Sequence, residues 1–187
     1  FQADLQEAAT AARAAPGWRR EPALALDERA NSRAVIPLKD DNPTTIQPVV
    51  TFTVIGICIV TFLWQISLGP QAGQAIIYAL GFIPAVVFAG VELPAELNWV
   101  PAPVTILTSM FLHGGLLHLG GNMLYLWIFA DNIEDSMGHA RFVVFFVLCG
   151  VAAALVQAVP AVGSTIPMIG ASGAVSGVLG AYVLLYP

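Results

Sequence analysis

The chain alternates long stretches without charge and short polar breaks. Val49 to Leu68, VVTFTVIGICIVTFLWQISL, is twenty residues without Asp, Glu, Lys or Arg. At about 1.5 Å per residue, that length crosses a hydrocarbon core of roughly 30 Å. Residues 114–130, 142–159 and 170–187 repeat the pattern, so four transmembrane helices are predicted at about 49–68, 114–130, 142–159 and 170–187. Residues 69–113 are also mostly apolar, but Pro70, Gly81, Pro84, Gly90, Pro94, Pro101 and Pro103 interrupt them. With Trp99 and the run Val104–Leu112, this segment reads as an external loop carrying short helices in the membrane interface.

The polar segments set the orientation. Residues 1–41 are Ala-rich, broken by Pro16, Pro22 and Pro37, and hold six of the seven basic residues. They are predicted to be a cytoplasmic tail, flexible or partly helical, preceding a membrane domain at 42–187. The charged region is too long for a secretory signal, and no small-residue cleavage site ends the apolar run that follows. The start at Phe1 suggests a fragment. Asp131, Glu134, Asp135, His139 and Arg141 are read as a solvated cytoplasmic turn with Gly138 as its turn residue.

Composition agrees with this membrane reading: 57% of the residues are hydrophobic and 10% charged, against roughly 25% charged in a soluble domain. The formal net charge of -5 says little about partners, and no basic patch points to nucleic acid. Cys58 and Cys149 sit within apolar runs as small hydrophobes, so neither a disulfide framework nor a metal site is expected. The acidic turn lacks a consistent metal-ligand spacing, and no cofactor is implied.

Chemistry enters with Gly170-Ala171-Ser172-Gly173, where a helix is predicted to begin. One reading is packing: Gly173 and Gly177, then Ser172, Ser176 and Gly180, form small-residue stripes that let membrane helices approach closely. The other is a serine nucleophile, which needs a base and oxyanion donors. His118 and Asn122 lie four residues apart on one face of the second span, towards its external end. Alternation of the spans brings them to the same depth as Ser172. Intramembrane polar groups are costly unless they face a bundle interior or a wet cavity.

The pairing of HLGGN (118–122) with GASG (170–173), separated by one charge-free span, resembles the rhomboid family of intramembrane serine proteases. IPLKDDNP at 36–43, LGFIPA at 80–85, LTSMFLHGG at 107–115 and the turn DNIEDSMGHARF resemble bacterial-type members, over about residues 35–187. The resemblance implies an all-α polytopic membrane protein, a rhomboid-like helical bundle with about four of six transmembrane helices in this chain. Ser172 would be the nucleophile. The Ser172 backbone N–H, His118 and Asn122 would form the oxyanion hole, and Gly170 would leave room for the substrate backbone. His113 would help order the external loop, while Glu134 and Gly138 match a structural feature at the cytoplasmic end of the second helix.

The implied activity is a serine endopeptidase that cleaves transmembrane segments of membrane proteins, with its site near the external face of a bacterial plasma membrane. The family's general base is a histidine on the sixth helix. No histidine follows His139 here, so the 187 residues alone are expected to be inactive. The external loop also lacks the Trp-Arg pair of some members, since Val100 follows Trp99. A rhomboid-like pseudoprotease that binds membrane helices without cutting them is the alternative. A transporter or channel subunit fits less well, because the polar residues cluster at one depth instead of lining a path.

Overall fold

A computed structural model of the chain describes residues 44–186, and every regular element among them is helical. The tail expected at 1–41 lies outside the described residues. Helix α1 (Val49–Ser67) leads into α2 (Gly69–Leu80), α3 (Pro84–Phe88) and α4 (Thr105–Thr108), the last prolonged by a 3-10 turn, Ser109–Phe111. After a turn at residues 112–115 come α5 (Leu116–Tyr125), a π-helical stretch (Leu126–Ala130) and α6 (Asp131–Met137). Helices α7 (His139–Ala158) and α8 (Ser172–Leu185) follow. Of these, α1 and the helix running from His139 to Ala161 are long and apolar enough to cross a membrane singly.

Three expectations are corrected. The second span does not stop at residue 130, because helix continues through the π-helical stretch to Met137, and the polar turn contracts to Gly138 with φ 78°. His139 and Arg141 accordingly fall in the first turn of α7. The acids of this turn do not form a solvated loop either. Glu134 is fully buried and accepts hydrogen bonds from the Val50 N–H (2.9 Å) and from the N–H and hydroxyl of Thr51 (2.8 and 2.7 Å). A buried carboxylate needs such partners, and the unsatisfied N–H groups at the start of α1 supply them. Lastly, Val104–Leu112 does not all lie at an interface: Met110 and Leu112 are buried. The chain bends by 79° between the segments Ala102–Phe111 and Leu116–Met137.

The core is built where the small residues allow contact. Met110, Leu126, Ile133, Phe142, Phe146 and Val178 belong to one buried cluster. A Cβ added at Gly173 would lie 2.6 Å from Cβ of Ala153, and one at Gly177 would overlap the side chain of Cys149. The Gly173–Gly177 stripe thus packs α8 onto α7, as the close-approach reading required. Ser176 is exposed and a Cβ added at Gly180 would meet nothing within 4 Å, so the other stripe is not used in the same way. Helix α8 spans fourteen residues, about 21 Å at about 1.5 Å per residue, which is shorter than the span predicted at 170–187.

Candidate active site

Ser172 is the first residue of α8 and is exposed. The opening N–H groups of a helix have no intrahelical partner, so the Ser172 N–H is a donor with positive helix-end potential beside it. Behind it the helix is fixed by buried Ala171, whose carbonyl accepts from the Val175 N–H at 2.9 Å. Before it, Gly170 has φ 115°, a conformation that side-chain-bearing residues rarely adopt. The Gly170 N–H donates to the Ser109 carbonyl at 2.9 Å, which ties the serine turn to the 3-10 turn after α4.

The expected partners come from α5. A Cβ at Gly170 would lie 2.6 Å from both Cε1 and Nε2 of His118, so that edge of the imidazole rests against the Gly170 backbone. His118 thus fills the space that a side chain on Gly170 would need. The other ring nitrogen, Nδ1, accepts from the Gly114 N–H at 3.4 Å. Asn122 is buried one turn along, and its Nδ2 donates to the His118 carbonyl at 3.0 Å. A carboxamide has two N–H donors, so this bond leaves one for another acceptor.

His113 packs edge-to-face on His118 with ring centroids 5.2 Å apart and is 1% exposed. Its ring nitrogens have no hydrogen-bond partner among the described residues, whereas its backbone bonds at two points to Gln65. Sequence reasoning passed over Gln65. Its signal was an amide near the C-terminal end of a charge-free helix. Gln157, near the end of α7, lines a cavity of about 40 Å³ together with Ser109, Met110, Gly170, Ser172 and Gly173.

Residues 101–187, which carry His118, Asn122, Gly170 and Ser172, match the family model of the Rhomboid domain. Residues 101–187 are thus similar to a Rhomboid domain. Among curated relatives it is 31% identical over 130 residues to Rhomboid protein 1, mitochondrial, of Saccharomyces cerevisiae, covering 60% of this chain and 37% of that protein. It is 38% identical over 81 residues to Rhomboid protease GluP of Bacillus subtilis, covering 43% of this chain and 15% of that protein. The Presenilin-associated rhomboid-like protein, mitochondrial, of Mus musculus is 37% identical over 84 residues, 44% of this chain and 22% of that protein. The chain thus spans little more than a third of the length of these relatives at most.

The remaining polar residues lie elsewhere. Glu134 is twelve positions beyond Asn122 on the same helical column, about 18 Å at about 1.5 Å per residue. His139 is held there, its Nδ1 2.6 Å from Glu134 Oε1. Among the described residues, no side chain hydrogen-bonds the Ser172 hydroxyl.

Proposed function

We propose that the chain carries the nucleophile and the oxyanion-binding half of an intramembrane serine endopeptidase whose substrates are transmembrane segments of other membrane proteins. The observation that carries this is the contact between His118 and Gly170, which sets a side-chain donor beside the helix start bearing Ser172. Attack of Ser172 Oγ on a peptide carbonyl puts negative charge on the carbonyl oxygen. The Ser172 N–H, His118 Nε2–H and the second Asn122 N–H stabilise that charge, as donors oriented before the reaction do. The packing role of Gly173 and Gly177 is compatible with this chemistry, since it holds α8 rigid against α7.

The mechanism requires a base to take the serine proton. His139 is engaged by Glu134 at the other end of the helical column, so we assign the base to a histidine outside these 187 residues. The tail is assigned to the cytoplasm, on the basis of its six basic residues, and the site to a water-accessible cavity near the external face of a bacterial plasma membrane. Peptide hydrolysis consumes water, and a substrate helix must unwind to offer its carbonyl, which favours substrates with small, helix-weakening residues.

The test is cleavage of a transmembrane substrate by the purified full-length protein reconstituted in lipid, with Ser172→Ala beside the wild type. Loss of cleavage with unchanged insertion and thermal unfolding is expected; persistent cleavage by the variant overturns the assignment. The Ser172 hydroxyl's want of a hydrogen-bonded base among the described residues favours one second reading, a rhomboid-like binder of membrane helices. Substrate capture without cleavage by the full-length wild type would support it.

A further inference from the structure

We infer that Gln65, on the first helix, is a positioning residue for the oxyanion hole: through the His113–Gly114 peptide it fixes which nitrogen of His118 carries the proton. The inference rests on the reading of His118 as an oxyanion donor.

Gln65 is 4% exposed within an otherwise apolar part of α1, and a buried amide is costly unless both its ends are bonded. Both ends meet His113. Gln65 Nε2 donates to the His113 carbonyl at 3.2 Å, and the His113 N–H donates to Gln65 Oε1 at 3.3 Å. The carbonyl of His113 and the N–H of Gly114 belong to one planar peptide unit, so holding the oxygen also aims the N–H.

That N–H is the donor to His118 Nδ1. A neutral imidazole nitrogen that accepts a hydrogen bond carries no proton, which leaves the proton on Nε2. Nε2 lies on the ring edge against Gly170, beside the serine turn. The opposite tautomer would present a lone pair there and repel an oxyanion. His113's own ring makes no hydrogen bond that orients His118, so the polar link runs through the backbone. Gly73 helps to fix the far end of this link: a Cβ there would lie 2.9 Å from the Gln65 carbonyl oxygen, so only glycine lets α2 close against α1 at this turn.

The experiment uses full-length protein in lipid bicelles. ¹⁵N NMR reads the two imidazole nitrogens of His118, assigned by their loss in His118→Phe, and steady-state kinetics on a transmembrane peptide give kcat and KM. Gln65→Leu should move the His118 ring towards a mixture of tautomers. It should lower kcat with KM little changed, on the order of tenfold, less than the 10²–10³-fold typical of deleting an oxyanion donor.

Gln65→Glu, whose neutral acid can make the same two hydrogen bonds, should restore most of both. Thr51→Val, which weakens the Glu134 contact at the other end of the bundle, serves as a control of comparable destabilisation and should move neither. An unchanged tautomer in Gln65→Leu overturns the inference, as does an equal shift in Thr51→Val. If Gln65→Leu does not accumulate, Gln65→Asn, too short to bridge both groups, is read in the same way. A shifted tautomer with full kcat overturns instead the assignment of His118 to the oxyanion hole, so the two failures are distinguishable.

Discussion

Gly170 and His118 share one space. The imidazole edge formed by Cε1 and Nε2 lies where a side chain on Gly170 would have to be, at 2.6 Å from the position of its Cβ, and Gly170 holds φ at 115°. Two independent constraints, sterics and backbone conformation, therefore select glycine two residues before Ser172.

Gly170→Ala should consequently cost both fold and activity. Strain of this kind is typically about 1–3 kcal/mol, and the displaced imidazole should lower cleavage by roughly 100-fold, the scale of a lost oxyanion donor. Thermal unfolding and substrate cleavage of the reconstituted full-length protein check it. A variant as active and stable as the wild type would show that the His118–Gly170 contact is dispensable.

Asn122 donates one N–H to the His118 carbonyl, and in the proposed oxyanion hole its second N–H would meet the substrate. Asn122→Ala should reduce kcat by about 10²–10³-fold, with substrate binding largely kept. Equal kcat in variant and wild type would remove Asn122 from the oxyanion hole.

The α7–α8 contact is a matter of volume. Gly177→Val places a side chain against Cys149 and should destabilise by about 1–3 kcal/mol through overpacking. Cys149→Gly in the same chain reopens the space, so the double variant should recover part of the loss, and the coupling is read from a thermal-unfolding cycle. Additive effects would mean that the helices relax apart instead.

At the opposite end, Glu134→Ala strands the half-buried N–H of Val50 and the buried N–H and hydroxyl of Thr51. Leaving buried donors unsatisfied costs about 1–3 kcal/mol each at most, so the melting temperature should drop while kcat of the folded fraction stays at the wild-type value. A fall in kcat at unchanged melting temperature would contradict a purely structural role for Glu134.

Much of the candidate site was legible because its residues are anomalous for their solvent. His118, Asn122 and Ser172 are polar groups in charge-free runs, and His118 and Asn122 stand one helical turn apart. Gly173 and Gly177 announced close helix packing by their spacing, and they do meet Ala153 and Cys149. Glu134 was misread as solvated. Near a run of acids and a glycine, a carboxylate looks like a loop residue until the start of α1 is known to pack over it. Gln65 was missed because a single amide near a helix end carries no periodic signal, and its partner is 48 positions away.

By itself the sequence determined the class of solvent, the approximate helices and the small set of polar residues that lipid would tolerate only for a reason. Each of these follows from local properties: hydropathy over twenty residues, backbone hydrogen-bonding demand, and the helical repeat. The tertiary structure alone decided which groups meet. It seats the His118 ring on Gly170, clasps His113 with Gln65, and buries Glu134 beneath Thr51. Such pairings depend on helix rotation and depth, which are set by side-chain volumes packed from distant segments and not by any one segment's composition.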